Sequence, residues 1–187
     1  MPLGNEPPEK LDHKLFYKGA KFNFEVNKLR LPNGNEGYRE CIFHPGGSMA
    51  VPVTNEGKFV MVRQYRFAMQ GRLLEFPAGT VEVDEEPLAT VQREIQEETG
   101  YKAATWKKLG EFPNAPGYSD EIIYAYLATD LEKLADPPDG DDDEDIEVLM
   151  MDAKDLEKAI LEGVPIDAKS IAAFYMARAY LNKGDNG

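Results

Sequence analysis

The stretch that most constrains this chain runs from Gly79 to Tyr101, GTVEVDEEPLATVQREIQEETGY. Within it Gly79, Glu85, Arg93, Glu94, Ile95, Glu97, Glu98 and Gly100 stand in the spacing G-x5-E-x7-R-E-I-x-E-E-x-G. Pro87 suits the first turn of a helix, where a missing N–H costs nothing, and Gly100 suits the left-handed position just past a helix end. The spacing therefore predicts about three turns of helix between them. Leu88, Val91 and Ile95 recur at i, i+3 and i+7 and form one apolar stripe, while Glu94, Glu97 and Glu98 share the adjoining face. Like charges so spaced destabilise a bare helix by roughly 0.2–0.5 kcal/mol per pair. A chain that keeps them has reason to bind a cation, and hard carboxylate oxygens suit Mg²⁺ or Mn²⁺, ions that commonly meet substrate phosphates. A solvated acidic face is the plainer reading of the glutamates taken alone; Gly79, Glu85, Arg93 and Gly100 at fixed positions around them favour the metal.

Composition sets outer limits. A chain of 187 residues suffices for one well-buried domain with a small extension. The net charge of −13 argues against a partner bound through a phosphate backbone, and an anionic substrate must be drawn in by local arginines and metal. The single cysteine, Cys41, excludes an internal disulfide and a multi-cysteine metal site and suits a reducing cytoplasm. No apolar run reaches the length of a membrane span, and the polar start MPLGNEPPEKLDHK lacks a signal-peptide core, so a soluble intracellular protein without a membrane partner is expected.

Along the chain, residues 1–14 are polar and proline-bearing and read as a loose tail. In KFNFEVNKLRL, Phe22, Phe24 and Val26 alternate with polar residues, and the turn signal PNGN precedes YRECIF. An antiparallel unit over residues 15–48 follows from this pattern. MAVPV and KFVMVRQYR begin the main sheet of a second region, residues 49–187, and LLEFPAG delivers its end to the predicted helix. TWKKLGEF and EIIYAYLA read as strands flanking the loop PNAPGYSD; the acidic run DPPDGDDDED must be loop, and IEVLMM a short strand. Helices over Ala153–Leu161 and Ser170–Leu181 close an α/β architecture, a mixed sheet with helices on both sides.

The motif over Gly79–Gly100 is the Nudix box, and the chain resembles a Nudix hydrolase. That resemblance implies an α/β/α sandwich. The flanks VRQYRFAMQGRLLEFPAGTVE and NAPGYSDE, with Pro116 some fifteen residues beyond the box, resemble the ADP-ribose pyrophosphatase and nucleoside-diphosphate-sugar hydrolase subfamily. The implied reaction is metal-dependent cleavage of a pyrophosphate bond, with ADP-ribose as first substrate and GDP-mannose or a broader set of such sugars as the alternative. A homodimer is also implied, in which residues 15–48 serve the partner's pocket on the nucleotide side.

For the chemistry, water must attack one phosphorus while the other phosphate leaves, a step that metal ions assist by neutralising charge and activating water. Glu94 and Glu98, one turn apart, are the first choice of ligands, with Glu97 in the same cluster and, by resemblance, the Ala78 carbonyl. Gly79 lets the backbone turn closely beside them. Arg93 stands four residues before Glu97 and suits a role in holding it by charge-assisted hydrogen bonds, while Glu85, just before Pro87, suits the helix N-terminus through the macrodipole, a structural role. The resemblance places a general base in a late loop with an E-x-E-x-I pattern. Here Asp142 and Glu144 stand at those positions before Ile146, leaving Glu144, Asp142 and Glu121 as candidates. Arg66 suits a bidentate phosphate contact, Arg39 resembles the subfamily's nucleotide-side arginine, Glu75 suits a sugar hydroxyl, and Phe22 or Tyr38 a stacked base. Two other classes share the box. A non-catalytic binding module would have lost some glutamates, and an RNA 5′-pyrophosphohydrolase calls for a basic surface that the charge of −13 opposes.

Overall fold

The computed structural model describes residues 8–138 and 145–184. They divide into two compact units, one from the N-terminal residues to Gly46 together with Pro113–Ile122, the other from Gly47–Phe112 and Ile123 onward.

The first unit is an antiparallel sheet, β1 (Glu9–Lys18), β2 (Asn23–Arg30) and β3 (Glu36–Phe43), in that spatial order. The PNGN segment closes the β2–β3 turn, with the Gly34 amide donating to the Leu31 carbonyl at 2.8 Å and Gly34 at φ 84°. β1 corrects the reading of residues 1–14 as tail, because Glu9 to Lys14 already belong to a strand paired with β2. The polar residues there are tolerated because this is an edge strand, where Lys10 pairs with Glu25 and Glu9 with Arg30. The loop that carries Pro116 lies along β3: the Ile42 amide donates to the Tyr118 carbonyl at 2.7 Å and the Asp120 amide to the Ile42 carbonyl at 3.2 Å. Among the described residues of this unit, Asn27 is the only buried side chain, and Leu15, Phe16, Tyr17, Phe22 and Tyr38 are exposed.

The second unit holds two sheets. β4 (Gly47–Pro52) runs parallel to β9 (Ile122–Lys133) and antiparallel to the short β7 (Ala78–Thr80), and β8 (Tyr101–Pro113) adds to β9, giving the order β7-β4-β9-β8. β5 (Phe59–Arg66) lies antiparallel between β6 (Gly71–Glu75) and β10 (Ile146–Met151). The helices are α1 (Pro87–Thr99), α2 (Ala153–Leu161) and α3 (Ala168–Gly184), the last two residues longer at its start than its sequence pattern predicted.

Alternation along β4 shows how the layers arise. Met49 and Val51 enter one cluster with Phe59, Met61, Phe76, Leu156 and Phe174, joining the second sheet to α2 and α3. Ala50 faces the other way, into a cluster with Tyr126 and with Val91 and Ile95 of α1. A strand buried on both faces reads as a continuous apolar run, as MAVPV does. Phe174 is fully buried and meets Phe59 edge to face at 5.2 Å, an arrangement that stabilises by about 0.5–1.5 kcal/mol beyond the burial itself.

Candidate active site

α1 forms where its sequence places it. Pro87 occupies its first turn, and Gly100, at φ 70°, ends it in the left-handed conformation with its amide donating to the Gln96 carbonyl. Val91 and Ile95 are fully buried, so the register of the helix is fixed by its apolar stripe. Glu94 and Glu98 are thereby turned toward the strand end that precedes them.

Glu98 is 8 % exposed and its Oε2 accepts the Ala78 amide at 3.1 Å. Glu94 lies against Gly79, where a Cβ would stand 2.6 Å from Glu94 Cγ and closer still to its carboxylate. Two carboxylates one turn apart therefore converge on the Ala78–Gly79 backbone, held in place by the ladder pairing of Ala78 with Met49 and Gly79 with Ser48. Arg93 Nη1 stands 2.8 Å from Glu97 Oε2 and 2.8 Å from Glu94 Oε1, and Arg93 Nε is 3.7 Å from Glu85 Oε1. Burial disfavours the charged guanidinium, but Glu94, Glu97 and Glu85 together outweigh it and hold Arg93 firmly protonated. Burial likewise works against ionised Glu85, and the Thr90 hydroxyl at 2.7 Å, the Glu82 amide and Arg93 overcome it, keeping its carboxyl below the usual range.

A divalent cation fits the hard oxygens of Glu94 and Glu98 and the space that the missing Gly79 side chain leaves for them. Arg93 stands between Glu94 and Glu97, 2.8 Å from each, and so neutralises part of the charge they bring to the site.

Glu75 lies at the end of β6. It is 1 % exposed, and Arg66 grips it along one edge of the guanidinium, Nε to Oε1 at 2.6 Å and Nη2 to Oε2 at 2.8 Å. Lys169 adds a third donor at 2.7 Å to Oε2. Burial opposes its charge, yet Arg66 and Lys169 prevail and its carboxyl is held below the ordinary range. A buried carboxylate so engaged anchors Arg66. Sequence reasoning missed Lys169, which lies 94 positions from Glu75; its only signal is the lysine beside Asp167 and Ser170 at the start of a helix.

In the first unit, Arg39 lines a cavity of about 500 Å³ walled also by Lys10, Glu25, Asn27, Leu29 and the Pro116–Asp120 loop. Asn27 donates to Glu25 at 2.7 Å, while its Oδ1 has no partner. Phe22 does not line the cavity; it is 44 % exposed with its ring 6.4 Å from His44. Tyr38 lies under the Lys14 ammonium at 4.8 Å. Glu121 accepts from Asn114 at 2.7 Å and stands 3.6 Å from His44. Asp142 and Glu144 lie outside the described residues.

A helix that turns its carboxylates onto the end of a strand, within layered mixed sheets, defines a class of α/β protein in which one short motif builds the reactive face. The NUDIX domain family matches residues 44–174, and the chain belongs to the Nudix family, whose hydrolases generally need a divalent metal ion. The chain is 38% identical over 157 residues to the ADP-ribose pyrophosphatase of Bacillus subtilis, covering 84% of this chain and 85% of that one. It is 36% identical to the methanol dehydrogenase activator of Bacillus methanolicus, again covering 84% and 85%. A crystal structure of an ADP compounds hydrolase superposes with a TM-score of 0.83 at 22% identity, covering 96% of both chains, and shares the fold. Among the described residues no helix is long and apolar enough to cross a membrane.

Proposed function

We propose that this chain hydrolyses the pyrophosphate bond of nucleoside diphosphate sugars, with ADP-ribose as the preferred substrate and AMP and ribose 5-phosphate as products. The observation that carries the reading is the convergence of Glu94 and Glu98 on the Ala78–Gly79 backbone. The name of the Bacillus subtilis relative supports the substrate.

Glu94 and Glu98, with Glu97 and the Ala78 carbonyl, would hold Mg²⁺, for which Mn²⁺ can substitute. The cation supplies charge neutralisation on the phosphates and a more acidic water. Arg93 holds Glu94 and Glu97 in position and limits the repulsion between them. Arg66, fixed by Glu75, presents its guanidinium to a phosphate. Glu144 takes the proton from the attacking water, whose oxygen bonds to phosphorus as the bridging oxygen leaves with the other phosphate. Arg39 contacts the nucleotide from its cavity, and Phe22 offers an exposed ring to the base.

We further propose a homodimer. A three-stranded sheet whose only buried described side chain is Asn27, with Leu15, Phe16 and Tyr17 exposed, gains apolar cover from a second copy. A reducing cytoplasmic setting agrees with the lone Cys41, whose thiol burial pushes up toward the unreactive protonated form.

Phosphate-release measurements with Mg²⁺ on ADP-ribose, GDP-mannose, UDP-glucose, diadenosine polyphosphates and capped RNA test the reading. Turnover is expected to be fastest on ADP-ribose. A chain that cleaves none of these, or capped RNA alone, is not the enzyme proposed.

A further inference from the structure

Among the described residues of the second unit, a further enclosed set of charges gathers at the ends of β5 and β6 and the start of α3. Arg66, Glu75, Asp167 and Lys169 form one chain of ion pairs, with Glu75 at its centre and fully buried. Lys169 has a side chain only 15% exposed, and no step of the proposed reaction uses it. We propose that Lys169 is a positioning residue, which acts through Glu75 to set the direction and the effective charge of the Arg66 guanidinium toward a substrate phosphate. This rests on the proposed contact of Arg66 with phosphate.

The geometry divides the work between the two cations. Arg66 takes both oxygens of Glu75 along one edge of its fork, which fixes the plane of the guanidinium. Lys169 approaches the same Oε2 at 2.7 Å from the start of α3, so Glu75 cannot turn without losing a second charged partner. The formal charges of the four residues cancel. Replacing Lys169 by a neutral side chain leaves an excess negative charge behind Arg66, centred on the buried Glu75 where screening is weakest. That charge opposes the approach of a phosphate.

The fold around Lys169 is held by contacts that do not involve its ammonium. Ser170 Oγ accepts the Phe76 amide at 2.9 Å, the Leu74 amide donates to the Pro165 carbonyl at 2.9 Å, and Asp167 accepts the Ser170 amide at 2.9 Å. The strand end and the start of α3 therefore stay joined in a Lys169→Met chain, which makes positioning separable from folding.

The test compares Lys169→Met, Lys169→Arg and the double change Lys169→Met with Asp167→Asn. KM for ADP-ribose is expected to rise about tenfold in Lys169→Met with kcat changed less than about twofold, as for loss of binding common to ground and transition states. Lys169→Arg and the double change, which each restore the charge balance, are expected to recover most of it. Calorimetric titration with ADP in Mg²⁺ gives the same comparison without turnover, so failure of the proposed reaction is told apart from failure of this inference. Equal KM and Kd for Lys169→Met and the unaltered chain, with only a lower Tm, overturn it. So does a double change that recovers nothing, or an unaltered chain that does not bind ADP.

Discussion

Glu94 occupies the space that a side chain on residue 79 would need, since a Cβ there would stand 2.6 Å from Glu94 Cγ. The absence of a side chain at Gly79 is thus a requirement of the carboxylate and of the backbone it faces. Gly79→Ala is expected to push Glu94 aside and to lower kcat/KM on ADP-ribose by about a hundredfold, the usual effect of a displacement near 1 Å in a reacting group. Steady-state kinetics with Mg²⁺ checks this. A rate within twofold of the unaltered chain means that the close approach has no part in the reaction.

Glu98→Gln separates charge from shape at the neighbouring position. The amide keeps an oxygen to accept the Ala78 N–H and fills the same volume, so Tm is expected to change by no more than a few degrees. Turnover is expected to fall by more than about a hundredfold, beyond the 10–100-fold that loss of an outer partner of a metal ligand costs. A half-saturating Mg²⁺ concentration and a rate both close to normal remove Glu98 from the metal site.

Glu75 makes the stability of the second unit depend on acid. Its folded pKa lies below that of an unfolded glutamate, about 4.3, so the unfolded chain binds protons more readily between the two values. Its contribution is therefore complete above about pH 4.3 and lost as the pH falls through the folded value. Glu75→Gln is expected to cost about 2 kcal/mol at neutral pH, less than the 3–5 of a wholly buried pair because Arg66 keeps some contact with water. Urea unfolding from pH 3 to 7 is expected to give a shallower pH slope for the variant. Parallel slopes contradict this role.

The acidic loop offers a comparison of its own. Glu144→Gln is expected to slow hydrolysis at least about a hundredfold, within the range of general-base loss, and to flatten the acid limb of the pH–rate profile, while Asp142→Asn has a smaller effect. Reversal of the order moves the base to Asp142. If neither changes the rate, Glu121→Gln is the next measurement.

The parts of this protein readable from its sequence are those encoded locally. Pro87, Gly100 and the Leu88, Val91, Ile95 stripe specify α1 from within one segment, and the PNGN turn specifies the β2–β3 hairpin in the same way. The Glu94 and Glu98 pair follows from helix periodicity alone. What escaped depends on distance along the chain. Lys169 meets Glu75 only because α3 begins beside the end of β6, where Leu74 bridges to Ile166. The sequence offers Glu75 only as a contact for a sugar hydroxyl, because nothing near it along the chain shows that Arg66 and Lys169 enclose it. Glu9 to Lys14 looked like tail because the polar residues of an edge strand obey no alternation; their pairing with β2 is supplied by backbone hydrogen bonds and by lysine and arginine partners.

Among its described residues, the sheet of β1, β2 and β3 buries no apolar side chain. Such a sheet owes little of its order to its own packing, and its stability becomes a matter of mass action if a second copy supplies the cover. Dilution would then loosen this sheet before it disturbs α1. Specific activity would fall at low protein concentration while the carboxylate site stayed folded, so that the cell's supply of the protein would itself set how well each molecule works.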